Sequence, residues 1–262
     1  MKITVVGAGV VGSSVAILAR EAGHHVNVIA DPDRPPASWA ALCVFKPGWQ
    51  RGADRDAADW TLTYYRERGM LTSEQVAWTS YRRPDGPQLR DGYYAIDPVA
   101  PLVTPDVHGI WPNVNPVSDV VVLCRGAYSD RGGKRAYGTT SIYRAPGHAP
   151  IRGHEDRPRN ALYAVSHDGH TVRFGSSVAT DERDALTRQI RDEGKADAAQ
   201  ILPDGEPERV TAVRLMPEPD QRPLPITRVA EGVWTIEGAG RVGYSLAPAR
   251  AREFLFTIGA LP

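Results

Sequence analysis

Residues 2–31 read KITVVGAGVVGSSVAILAREAGHHVNVIAD, and no other stretch constrains the fold so tightly. Lys2 to Val6 is a β-branched run that stops at Gly7, and Val11 to Ala22 carries apolar residues at helical spacing up to Gly23. A second β-branched run, Val26 to Ile29, ends at Asp31. Strand, tight turn, helix and strand in about thirty residues is a βαβ unit. Each glycine of GAGVVG has its own task there. Gly7 makes the turn, Gly9 lets a pyrophosphate approach the backbone, and Gly12 lets the helix pack on the strand. The N–H groups around Ala8 and Val11 then face an anion at the helix start. Asp31, nineteen residues after Gly12, is placed to accept ribose hydroxyls, and an acid there argues against a 2′-phosphate.

The chain has 262 residues, 42% of them hydrophobic, enough for one large core or two small ones. The formal net charge is zero and the two signs are interspersed, so no basic stripe is available for nucleic acid or an anionic membrane surface. No apolar run approaches the length of a membrane span, and no apolar signal core follows Met1 and Lys2. The two cysteines, Cys43 and Cys124, stand in apolar contexts that suit buried thiols in a reducing compartment. These features predict a cytoplasmic protein. The histidines show no metal-ligand spacing, and nucleophile motifs are missing from the sequence. His24 and His25 fall in the helix-to-strand turn and cap it.

Further along, a helix is expected over Asp56 to Arg68, followed by strands broken by turns at PDG (Pro84) and RDG (Arg90). Pro98 to Pro116 reads as a connector without elements. Asp119 to Leu123 (DVVVL) suits a strand buried on both faces, and it ends in the glycine-punctuated turn CRGAYSDRGG. Ala161 to Ser177 holds two strands around HDGH, where Asp168 and Gly169 are expected to take positive φ. Asp181 to Ala199 has the spacing of a solvated surface helix. The chain returns to a strand at Gly232 to Ile236, passes EGAGRVGYSLAP, and ends in a helix from about Ala247 to Thr257.

The order of these pieces resembles the FAD-dependent D-amino acid oxidase and glycine oxidase family. The resemblance rests on GAGVVG with Asp31, on ASWAALCVFKP (Ala37 to Pro47), on DVVVLCRGAYSD, and on VRLMPEPDQRPLPITRV followed by EGAGRVGYSLAP. It implies FAD as cofactor, with the pyrophosphate at Gly7, Ala8, Gly9, Val11 and Gly12 and the ribose at Asp31. It also brings Ser38, Ala41 and Gly126 to the cofactor. At the flavin ring it implies Gly238, Gly240, Arg241, Val242, Gly243, Tyr244 and Ser245. The family's carboxylate-binding arginine falls on Met216, and most members are substantially longer than this chain. Arg214, two residues earlier, returns to the same face of a strand and either clamps a substrate carboxylate or pairs with Glu218. Tyr163 aligns with the family's pocket tyrosines.

The expected architecture is α/β. A Rossmann-like FAD-binding domain, with a parallel sheet and flanking helices, comes from residues 1–55, 106–136 and 228–262. A smaller mixed β-sheet domain for substrate comes from 56–105 and 137–227. The resemblance implies oxidation of a C–N bond of a small amine or amino acid, with Arg214, Tyr163 and Arg241 on the substrate side. A reduced, non-catalytic flavin-binding subunit completed by a partner is the alternative, and an NAD-dependent dehydrogenase is a third that leaves EGAGRVGYSLAP unexplained. The sequence leaves a homo-oligomer or a partner subunit open.

Overall fold

The structure, a computed structural model, describes residues 1–34, 36–109, 118–129, 133–147, 151–157, 160–175, 178–217, 222–240 and 242–262. The chain runs β1 (Lys2–Val6), α1 (Val10–Glu21), β2 (His25–Ala30), β3 (Val44–Phe45), α2 (Ala53–Glu67), β4 (Leu71–Ser80), β5 (Arg83–Ile96), β6 (Val107–His108) and β7 (Val120–Leu123). It continues with β8 (Arg135–Arg144), β9 (Ile151–Arg157), β10 (Asn160–Ser166), β11 (Thr171–Gly175), α3 (Glu182–Ala198), β12 (Glu208–Leu215), β13 (Ile226–Ala230), β14 (Val233–Ile236) and α4 (Gly243–Thr257).

Two sheets result. The first has the order β13-β14-β7-β1-β2-β6, and all its pairs are parallel except β13 with β14. Its centre is β7, whose four residues are all buried, as the continuous apolar run requires. Ile3, Val5, Val26, Val28, Val120 and Val122 share one core with α1, α2 and α4, whereas Val6, Val121 and Leu123 form a smaller cluster with Val233. The second sheet has the order β12-β8-β11-β10-β9-β4-β5-β3, antiparallel except where β4 meets β9. Among the described residues no helix is long and apolar enough to cross a membrane.

Several local expectations need correction. Residues Pro84 and Arg90 do not mark turns: the chain reverses at Tyr81-Arg82, and both lie within β5. Gly92, at φ +79°, instead sits in a bulge where the register shifts between Ser73 and Gln75. The connector from Pro98 contributes β6, which pairs with β2 at the sheet edge, and its residues 110–117 lie outside the described residues. In the HDGH turn only Gly169 takes a positive φ. Asp168 acts through its carboxylate, which accepts the N–H groups of His170 (2.8 Å) and Thr171 (2.7 Å).

Helix α3 is not solvated all round. Ala185, Gln189, Glu193 and Ala196 are buried at helical spacing, and Glu193 meets Arg209 of β12 at 2.7 Å and the Ser141 hydroxyl of β8. His24 does more than cap its turn, since its Nε2 donates to the Ala260 carbonyl at 2.7 Å and ties the turn to the C-terminus. Helix α2, which the expected division places with the second sheet, packs in the core of α1 and α4. Strand β3, placed with the first sheet, pairs with β5.

Candidate functional site

In the turn between β1 and α1 the surroundings of Gly7 and Gly12 leave no room for a side chain. Gly7 has φ +112°, and a Cβ there would lie 2.4 Å from the Cys124 carbonyl oxygen of β7's end. A Cβ on Gly12 would lie 1.9 Å from the Gly7 carbonyl oxygen, so α1 packs on β1 only with glycine there. At Gly9 the neighbours are Pro36 Cβ at 3.2 Å and Ser38 Oγ at 3.3 Å. Gly9 caps α1 without a side chain, so the first N–H groups of the helix find no partner in their own cap residue. The Val10 N–H donates to Ser38 Oγ at 2.9 Å, so an oxygen acceptor already occupies the helix start where a phosphate oxygen belongs.

A cavity of about 350 Å³ opens from this turn. Gly7 to Val11 line one wall, and Asp31, Arg34, His108, Gly109 and Tyr128 line one end. The segment Pro36 to Ala41, with Arg125 and Gly126, lines its length. At the other end stand Gly138, Ala212 to Leu215, Ala239, Gly240, Gly243 and Tyr244. One cavity therefore touches both glycine-rich turns, from strands and helices more than 200 residues apart. The glycine turn, the helix start and the acid that line it fit a dinucleotide.

At the acidic end Asp31 accepts the Asp33 N–H at 3.0 Å and pairs with Arg34 at 3.3 Å. The Arg34 guanidinium in turn lies 5.5 Å from the centroid of the Tyr128 ring, across the cavity mouth. Behind the cavity the buried Glu237 carboxylate accepts the Ser129 hydroxyl and pairs with Arg125 at 3.4 Å.

At the other end α4 begins at Gly243, four residues before the expected Ala247, so the glycine turn itself delivers the helix N-terminus to the cavity. Gly240 donates its N–H to the Leu215 carbonyl at 2.9 Å, which ties the turn to β12 beside Arg214. The Met216 sulfur would lie 3.5 Å from a Cβ on Gly240, so this side chain packs on the turn. Tyr244 is buried, its hydroxyl donating to the Ser38 and Pro98 carbonyls at 3.2 Å each. Burial lifts its pKa well above the ordinary phenol value.

Of the residues singled out in the sequence, Gly7, Ala8, Gly9, Val11, Asp31, Ser38, Ala41, Gly126, Gly240, Gly243, Tyr244 and Arg214 line the cavity. Gly12, Gly238, Val242 and Ser245 do not line it, and Arg241 lies outside the described residues. Tyr163 is not brought to the cavity. It packs against Trp49, Trp78 and Tyr93, with ring centroids 6.4, 5.6 and 6.2 Å away. Burial raises its pKa. The pairings Tyr163 with Gly175, Gly175 with Thr140 and Thr140 with Val210 put Tyr163 on the face that carries Arg214. Three strand spacings separate β10 from β12, roughly 14 Å at about 4.8 Å per strand, and Arg214 lies four residues beyond Val210, roughly another 13 Å along its strand.

Sequence reasoning also missed Arg34, Tyr128, His108 and the ion pair of Arg125 with Glu237. Arg34, three residues after Asp31, carried a local signal; the others are joined only by the fold. A further feature is Cys43, buried at φ +55°, a conformation costing roughly 1–2 kcal/mol for a residue with a Cβ. Burial pushes its thiol up to about 12.

No protein-family model matches the chain, and no curated protein matches its sequence. Solved structures match over nearly its full length. Iminodiacetate oxidase from Chelativorans sp. BNC1 superposes with a TM-score of 0.74 at 16% identity, over 99% of this chain and 96% of that one. Glycine oxidase from Bacillus cereus ATCC 14579 gives 0.68 at 14% identity, over 100% and 96%. An FAD-dependent oxidoreductase from Pseudomonas aeruginosa gives 0.64 at 14%, over 100% and 92%. The chain has the fold of these three proteins. At such identities the likeness is one of backbone architecture, and the chemistry has to be argued from the cavity.

Proposed function

We propose that the protein is an FAD-dependent oxidoreductase that oxidises a C–N bond of a small amine or amino acid. The observation that carries this reading is the single cavity reaching from GAGVVG and Asp31 to Gly240, Gly243 and Tyr244. A nicotinamide dinucleotide needs only the first turn, whereas a flavin has a ring whose reduced form benefits from a helix N-terminus at its far end. Three solved structures of the same fold are named an iminodiacetate oxidase, a glycine oxidase and an FAD-dependent oxidoreductase, which supports the same chemistry here.

In this reading the first N–H groups of α1, with Ser38, hold the pyrophosphate, and Asp31 holds the ribose. The chain segments forming the first sheet make up the cofactor domain and those forming the second make up the substrate domain. When bound, FAD supplies a hydride acceptor at N5 for the carbon bearing the amine, and the resulting imine hydrolyses in water. The N-terminus of α4, at Gly243 and Tyr244, would offer partial positive charge to a reduced flavin ring, with Gly238, Val242 and Ser245 shaping the turn. Arg241, within the same turn by sequence, adds a cation. Arg214 orients a substrate carboxylate with its planar guanidinium, and the sheet face around Gly138 and Ala212 excludes water. The reading needs no contribution from Tyr163.

The test is the visible spectrum of the purified protein, before and after added FAD, followed by anaerobic addition of amines and amino acids of both hands. A flavin spectrum bleached by one of these classes is the expected result. A colourless protein that takes up no FAD refutes the flavin assignment. A yellow protein that no amine or amino acid reduces refutes the oxidation, leaving a flavin-binding subunit.

A further inference from the structure

The segment Ala37 to Ala41 lines the cavity, yet little of what holds it comes from the first sheet. Its successive carbonyls are taken by side chains from elsewhere. Ser38 O accepts the Tyr244 hydroxyl at 3.2 Å, and Ala40 O accepts the Thr140 hydroxyl of β8 at 2.6 Å. Trp39 O and Ala41 O both accept from Nη1 of Arg173 on β11, at 2.7 and 3.3 Å. Leu42 O accepts the Nε2–H of His167 at 3.0 Å, and Cys43 O accepts the Ile96 N–H at 2.8 Å. The run ends on Cys43 in its left-handed conformation. A backbone state that disfavours any residue but glycine persists only where the surroundings over-determine it, and here they do.

Given the flavin reading, we propose that Arg173 is a positioning residue for the cofactor. It straps the loop from the second sheet so that Ser38 stands at the start of α1. One nitrogen bridges two alternate carbonyls, which closes the loop over its own turn and fixes the direction in which the chain enters Cys43. Ser38 Oγ thereby accepts the Val10 N–H at 2.9 Å, which leaves its own O–H to donate to a pyrophosphate oxygen at the start of α1. The second sheet thus shapes the pyrophosphate site through the loop that carries Ser38. Because Cys43 resists the required φ, the strap works against a local preference, and a glycine at 43 should make it less necessary.

Two measurements decide this: FAD affinity from quenching of flavin fluorescence, and amide hydrogen exchange of residues 37–45 in the FAD-free protein. Arg173→Ala should raise the dissociation constant for FAD at least tenfold and speed exchange in this loop at least tenfold, while β1 and β7 exchange as before. Arg173→Lys, which keeps a donor but not the planar fork, should fall between. Cys43→Gly in the Arg173→Ala background should recover at least threefold of both effects. Unchanged loop exchange in Arg173→Ala overturns the strap, and so does acceleration spread evenly over the whole chain. Faster loop exchange with unchanged FAD affinity overturns the positioning role. If the unaltered protein binds no FAD, the flavin reading fails, and the exchange measurements still judge the strap.

Discussion

Gly12→Ala offers the sharpest test of the nucleotide-site geometry. The added Cβ would lie 1.9 Å from the Gly7 carbonyl oxygen and 3.0 Å from both Gly7 C and Val5 Cγ1. Ordinary contact begins near 3.4 Å, so α1 has to retreat from β1 by roughly 1.5 Å. Two of the clashing atoms are backbone and cannot rotate away, which puts the cost at the upper end of overpacking, about 3 kcal/mol. The same retreat displaces the Val11 N–H and, through its bond to the Val10 N–H, the Ser38 hydroxyl, the two donors that would face a pyrophosphate in the cavity. Two such bonds to a charged ligand, at about 1.5 kcal/mol each, amount to an affinity loss of about 100-fold. Urea unfolding reads the first quantity, and FAD titration of the apoprotein reads the second. Gly23→Ala is the control. Gly23 has φ +81° with no atom within 4 Å of an added Cβ, so it should cost about 1 kcal/mol of backbone strain and leave FAD affinity alone. A Gly12→Ala protein that binds FAD within threefold of the original, or a Gly23→Ala protein equally impaired, refutes the reasoning.

Arg214→Ala should weaken small carboxylate ligands at least tenfold, read as perturbation of the flavin spectrum, and an unchanged affinity removes Arg214 from the site. Arg209→Met leaves the Glu193 carboxylate, only 7% exposed, without its cation and should cost about 3 kcal/mol in urea unfolding. A loss below about 1 kcal/mol would show that the pair is not needed. Burial holds the His167 imidazole below its ordinary 6.5. As pH falls below 6.5 the unfolded chain therefore takes up a proton that the folded chain refuses, so stability is full above 6.5 and declines below it until the folded imidazole also titrates. His167→Gln should flatten this part of the pH dependence while keeping a donor for Leu42 O; an identical slope in the two proteins contradicts the assignment.

The first thirty residues show why one end of the molecule was legible. Their signals are local: a β-branched run, three glycines at set spacing, a helical apolar period and an acid. Their spacing alone defines the βαβ unit, although the structure adds remote neighbours to it, such as the Cys124 carbonyl against Gly7. The same holds for β7, where four consecutive buried residues declare a central strand. Legibility failed where partners are remote. The polar pattern of α3 conceals Glu193 because a buried carboxylate is tolerable only beside Arg209, and that pairing forms only once β12 lies along β8. RDG looks like a turn because glycine permits one, yet β4 supplies a ladder that turns it into a bulge.

By itself, then, the sequence determined that a strand, a glycine turn and a helix build an anion-binding N-terminus beside an acid, because those groups are bonded within one short stretch. It also marked the second glycine turn. Only the tertiary structure decided that both turns open on one cavity, that Arg214 reaches it while Tyr163 joins an aromatic cluster, and that Thr140, His167 and Arg173 hold the loop carrying Ser38. These are relations between remote residues, as with Gly7 and Tyr244, 237 positions apart on one cavity. Strand register and sheet order set them, and neither is written in any local spacing.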